Sequence, residues 1–114
     1  MAISYEDISA DLCRIMLSGR LDFQGVEDVL GKFEELLATS AAPNVVVDLS
    51  DAVLICSIGI RALILNAKAL EQSGRHMLLV MQNDSMVSKT LNSVGIDTLL
   101  PVFTSISEAE ASLG

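Results

Sequence analysis

The run Val45-Val46-Val47-Asp48-Leu49 constrains this chain more than any other segment. It is short, almost wholly apolar and rich in β-branched residues, the pattern of a strand covered on both faces. Such a strand needs helical layers on both sides, and the flanking sequence supplies candidates. Between Asp22 and about Thr39, the residues Val26, Val29, Leu30, Phe33, Leu36 and Leu37 recur at helical spacing, with Glu27, Asp28, Lys32, Glu34 and Glu35 outside the stripe. A second helix is expected from Ser57 to about Gln72, stopped by Ser73-Gly74. Another buried strand follows over His76–Met81. Strands alternating with helices imply a mostly parallel sheet with right-handed crossovers.

The remaining elements fit this frame. Ile3–Ile8 and Leu12–Leu17 read as an antiparallel strand pair joined by Ser9-Ala10-Asp11, after which Ser18-Gly19-Arg20-Leu21-Asp22 turns the chain. Asp22 is a candidate N-cap. Asp84 or Ser85 opens a third helix to about Ser93, with Met86, Val87, Leu91 and Val94 at helical spacing, and Gly95 closes it. Leu99–Phe103 reads as a short last strand, and Ser105-Ile106-Ser107-Glu108 as a capping box that opens a terminal helix. Pro43 and Pro101 sit at element boundaries. The expected fold is α/β: one domain with a mostly parallel, mixed sheet of about four to five strands, an N-terminal antiparallel pair and about four helices. In such sheets function gathers beyond the carboxyl ends of the strands, which selects the loops Ser18–Asp22 and Ala52–Gly59.

Composition narrows the function. With 114 residues the chain matches one ordinary core. Its net charge of −8 argues against nucleic acid and anionic membranes, both of which are held by Lys and Arg. Aromatics are 4%, with no Trp, so the core is aliphatic and offers no rings for base stacking. Ala52–Leu65, the longest apolar stretch, is shorter than the ~20 residues of a membrane helix. The chain starts without the apolar region of a signal peptide, so reduced, buried Cys13 and Cys56 and a cytoplasmic location are expected. His76 is the one histidine, too few for a Cys/His zinc site, and it is read as a surface or strand-edge residue. No phosphate-binding glycine loop appears, so no cofactor and no catalysis are expected. Met77, Met81 and Met86 are read as core filler. Glu34, Glu35 and Asp28 are read as a solvated face.

The chemistry concentrates where the buried strand runs through Ser50–Ile55 into Cys56-Ser57-Ile58-Gly59-Ile60. Ser57 stands at a helix start, where unpaired N–H groups and the helix dipole favour an anion such as a phosphate. Gly59 leaves room for the close approach of a partner backbone. Read without other information, Ser57 is an ordinary N-cap. Cys56, beside it, reads as a small buried hydrophobe, with a redox thiol as the sharper alternative. Arg61, one turn on, is placed to touch a phosphate or a partner carboxylate, or to stack on the sheet edge.

Gly19-Arg20-Leu21-Asp22, then Val45–Ser50, then Cys56–Ile60 resemble the STAS-domain family of anti-sigma factor antagonists over nearly the whole chain. The family pattern is Gly-Glu-Leu-Asp, an apolar strand, and Asp-Ser-Ser-Gly-Leu. The resemblance implies a STAS domain over residues 1–114, with Ser57 as the phosphoacceptor of a partner serine kinase that is often the anti-sigma factor itself. It implies a metal-dependent serine phosphatase as the second partner. Asp22, Cys56, Ile58, Gly59 and Arg61 become the expected partner surface, and a monomer or weak dimer is expected. Three positions depart from the pattern: Cys56 replaces the motif Asp, Ile58 the second Ser, and Arg20 the Glu. The alternative is a non-switching STAS scaffold or accessory subunit, in a stress-signalling complex or beside a membrane transporter, with Ser57 structural.

Overall fold

Val45, Val46 and Val47 are fully buried, as their run of β-branched residues predicts, and the rest of the fold is layered around them. The structure is a computed structural model that describes residues 2–113. Among these residues the order is β1 (Ala2–Ser9), β2 (Leu12–Leu21), α1 (Phe23–Thr39), β3 (Asn44–Asp48), β4 (Ala52–Ile55), α2 (Ser57–Gln72), β5 (His76–Val80), α3 (Met86–Ser93), β6 (Val102–Phe103) and α4 (Ile106–Ala111). A 3-10 turn over Ile96–Thr98 precedes β6. The strands lie in the order β1-β2-β3-β5-β6, with β4 joined separately to β2. Only the β1–β2 pair is antiparallel.

The pleat sends alternate residues to opposite faces. Cys13, Ile15, Val45, Val47, Met77 and Leu79 meet the stripes of α1 and α2, including Val26, Val29, Phe33, Leu63 and Leu70. Leu12, Val46, Leu78 and Val80 form the second face, closed by Ala109 and Ile106 of α4. Helix ends match their signals. Asp22 and Ser85 cap α1 and α3, and Gly74 and Gly95 take positive φ. Ser105 caps α4 by accepting from the Glu108 N–H, but the Glu108 carboxylate reaches one residue further back than a capping box requires, to the N–H and hydroxyl of Thr104.

Several expectations are corrected. The sheet has six strands among the described residues, not four or five. The Ser18–Asp22 turn is the end of β2, because Gly19 at φ +86° bends the strand without ending it. The Ala52–Gly59 loop contains β4, which pairs with that extension: Gly19 with Ala52, Arg20 with Leu54 and Leu21 with Ile55. The Leu99–Phe103 strand shrinks to Val102–Phe103. Met77 and Met81 are core, whereas Met86 is 62% exposed. Both cysteines are free, but only Cys13 is buried.

One polar group lies inside the sheet. Asp48 is 1% exposed and accepts from Arg14 at 2.9 Å (Nε) and 2.6 Å (Nη2). Its other oxygen accepts the Ser50 N–H at 2.9 Å. Glu6 on β1 flanks the same guanidinium at 3.4 Å.

The edge strand β1 carries the lone tyrosine, whose hydroxyl donates to Asp7 at 2.6 Å. This bond pushes the Tyr5 pKa up from 10.0 to about 12. The folded state holds the phenol proton more tightly than the unfolded state. The resulting stability is present below the ordinary value and is lost as pH rises through the folded one. An absorbance titration of the phenolate is expected to centre near 12 in the native protein, and Asp7→Asn is expected to move it down toward the ordinary value.

Candidate functional site

The β2–β4 ladder extends past the central sheet and ends where two helices begin. The Cys56 N–H donates to the Leu21 carbonyl at 2.9 Å, so Leu21-Asp22-Phe23 and Ile55-Cys56-Ser57 leave the sheet side by side. Asp22 caps α1: its Oδ1 accepts the Gly25 N–H at 2.9 Å, and its Oδ2 lies 3.6 Å from the Arg20 guanidinium. Cys56 holds the equivalent extended position before α2 but makes no side-chain cap bond. One helix start therefore carries a carboxylate, and the other offers its first N–H groups.

Ser57 is the first residue of α2 and is exposed; the N-cap is Cys56, which corrects the expectation that Ser57 caps this helix. Ile58 follows, 42% exposed. Arg61 is exposed one turn above Ser57, on the same side of the helix. Asp22 and Cys56 are half-buried at the two strand ends. Gly59 is buried, and its open side faces inward. A Cβ there would lie 2.9 Å from Ile55 Cγ1 and 3.2 Å from Val26 Cγ2. Gly59 thus seats α2 on β4 and α1.

The free N-terminus of α2 gives a direct prediction. Cys56→Asp supplies the missing acceptor and gives up some apolar contact with the core, which Cys56 touches. A net gain of about 0.5–1 kcal/mol is expected, read as a higher urea midpoint at unchanged slope.

Sequence reasoning missed two neighbours. Phe23, the first residue of α1, is 57% exposed beside this site. A ring outside the Val26–Leu37 stripe, in a chain so poor in rings, is the signal that marks it. Gly25 is the second. A Cβ on it would stand 2.0 Å from the Arg20 carbonyl oxygen, so the turn that carries Arg20 and Asp22 folds directly over this glycine.

A profile of the STAS domain matches residues 4–109. The chain belongs to the STAS-domain family. Solved structures with the same fold include an anti-sigma factor antagonist from Mycobacterium paratuberculosis, 18% identical, covering 97% of this chain and 92% of its own, at a TM-score of 0.80. The anti-sigma factor antagonist SpoIIAA in its unphosphorylated form is 19% identical, with 98% and 96% covered and a TM-score of 0.77. The Bacillus cell fate determinant SpoIIAA in the phosphorylated form is 19% identical, with 99% and 100% covered and a TM-score of 0.70. A search of curated proteins returns no match. Among the described residues of this STAS domain, no cluster of His, Cys, Asp and Glu could hold a metal ion. No helix there is long and apolar enough to cross a membrane.

Proposed function

We propose that this STAS domain is a protein-binding switch of the anti-sigma factor antagonist type, working in the cytoplasm without catalysis of its own. With Ser57 unmodified, it docks a cognate anti-sigma serine kinase. Phosphorylation of Ser57 releases that kinase, and a metal-dependent serine phosphatase resets the switch. The observation that carries this proposal is the exposed hydroxyl of Ser57 at an uncapped helix start, between the Asp22 carboxylate turn and apolar Ile58. Solved forms of SpoIIAA with and without phosphate lend support, since both have the fold of this chain.

The local chemistry favours control at the interface over control by unfolding. A phosphate adds about −1.5 to −2 charges. The free N–H groups of α2 tolerate that charge within the domain. A docked partner face does not, because the phosphate must be desolvated against apolar Ile58 and beside Asp22. Arg61 and Arg20 are the cations at hand to orient it. Asp22, Cys56, Ile58 and Arg61 form the proposed contact surface, with Gly59 supporting it from below. The net charge of −8 fits a regulator that reaches transcription through another protein.

The test is binding of Ser57 variants to a cognate anti-sigma kinase. Ser57→Ala is expected to bind as the unmodified protein does, and Ser57→Asp at least about tenfold more weakly, which is about 1.4 kcal/mol. Equal binding by both would exclude the switch. That result would favour a non-switching scaffold or accessory subunit, the alternative to which exposed Ile58 at the family's second Ser position points.

A further inference from the structure

Ser57 is delivered by a short strand that has one neighbour. β4 has four residues and pairs with β2 at three register positions, and no other strand pairs with it among the described residues. The place of Ser57 therefore depends on the turn that launches β4, residues 49–52. The Ala52 N–H closes this turn on the Leu49 carbonyl at 3.1 Å. Backbone bonds tie it to two strands: the Leu49 N–H donates to the Val80 carbonyl of β5 at 2.7 Å, and the Asp51 carbonyl accepts the Gly19 N–H of β2 at 3.0 Å. Ser50, between these ties, is held by side chains. Its N–H donates to Asp48 Oδ1 at 2.9 Å, and its carbonyl accepts from Gln82 Nε2 at 3.0 Å.

We infer that Asp48 and Gln82 are positioning residues for Ser57, acting through the Ser50 backbone; the consequence for phosphorylation and docking rests on the switch reading above. Asp48 is the firmer hold. It is 1% exposed, and both Arg14 donors go to its Oδ2. The guanidinium thus fixes the carboxylate and leaves Oδ1 for the Ser50 N–H, a charge-assisted bond. Gln82 is exposed and holds less firmly, but it reaches further. Its own carbonyl accepts the Ser85 hydroxyl, and Ser85 caps α3. Gln82 therefore joins the launching turn of β4 to the start of α3, the helix packed beside β4. Asp48 has two separable tasks: its charge pairs with Arg14, and its second oxygen holds the turn that leads to the site.

The experiment separates these tasks by native-state amide hydrogen exchange of the whole domain. Two double variants lack the ion pair alike: Arg14→Met with Asp48→Asn keeps an acceptor for the Ser50 N–H, and Arg14→Met with Asp48→Leu removes it at nearly the same side-chain shape. The Gly19 and Cys56 amides, which bond across the β2–β4 ladder, report on the site strand, and the Val46 amide of β3 is the reference. In the Leu variant the Gly19 and Cys56 amides are expected to exchange about tenfold faster relative to Val46 than in the Asn variant, the size of one lost hydrogen bond. Gln82→Ala, at an exposed position, is expected to speed the same two amides about threefold with Val46 unchanged. Equal relative exchange in the Asn and Leu variants, acceleration shared equally by Val46, or no change in Gln82→Ala would each overturn the inference. Exchange is read without a partner, so its failure leaves the switch standing, and failure of the Ser57 binding test leaves the positioning standing.

Discussion

Replacing Arg14 with methionine is expected to lower the unfolding free energy by about 3–5 kcal/mol, a large part of the 5–15 kcal/mol that holds a typical domain. The reason is the partner left behind. The Asp48 side chain is 2% exposed, whereas that of Arg14 is 26% exposed. Without the guanidinium, the carboxylate retains the Ser50 N–H and loses both charge-assisted bonds. An isolated buried charge is far less favourable than either the pair or a matched apolar pair. The double variant Arg14→Met with Asp48→Leu is therefore expected to recover most of the loss. Glu6→Gln removes only an exposed 3.4 Å contact and is expected to change stability by less than about 1 kcal/mol. Urea unfolding of the four proteins completes the comparison. A single Arg14 variant as stable as the parent would show that Asp48 finds another partner.

The second large effect comes from adding one methyl group to α1. Gly25→Ala places a carbon 2.0 Å from the Arg20 carbonyl oxygen, a backbone atom that no side-chain rotation can move. The turn must shift, loosening the Asp22 cap and the Arg20–Asp22 pair that frame Ser57. A loss of about 3 kcal/mol is expected, together with altered backbone shifts from Arg20 to Val26 in the NMR spectrum. Gly31 on the same helix supplies the control: a Cβ there meets nothing within 4 Å. Gly31→Ala is expected to stabilise by about 0.5–1 kcal/mol through helix propensity. Opposite signs for one substitution on one helix separate contact from propensity, and a destabilised Gly31→Ala would contradict the packing described.

What the sequence revealed divides along the range of the interactions. Val45–Val47, the α1 stripe and the caps at Asp22, Ser85 and Gly74 were legible because each signal lies within a few residues of itself. β4 was not. Four residues are too few to show a period, and Ala52 and Ile55 are buried while Val53 between them is 56% exposed. The extension of β2 was hidden by Ser18-Gly19-Arg20, which has the composition of a turn, although Gly19 only bends the strand. Ser57 and Asp22 stood out through a motif. The inward task of Gly59 and the union of Arg14 with Asp48 depend on contacts across the fold, the latter spanning 34 residues, which no local pattern reports.

Besides its antiparallel partner β1, β2 pairs with β3 over Leu12–Met16 and with β4 over Gly19–Leu21. The core and the candidate site are thereby assigned to different parts of one strand. The half that holds the core is enclosed, with Leu12, Cys13 and Ile15 fully buried. The half that leads into Asp22 stands outside the central ladder, and the Arg20 side chain on it is 66% exposed. Of the three departures from the family pattern, Arg20 lies on this outer part, and Cys56 and Ile58 lie at the start of α2, which follows its partner strand β4. Substitution at these outer positions is therefore expected to alter the proposed docking surface while leaving the central ladder, and with it the domain, intact.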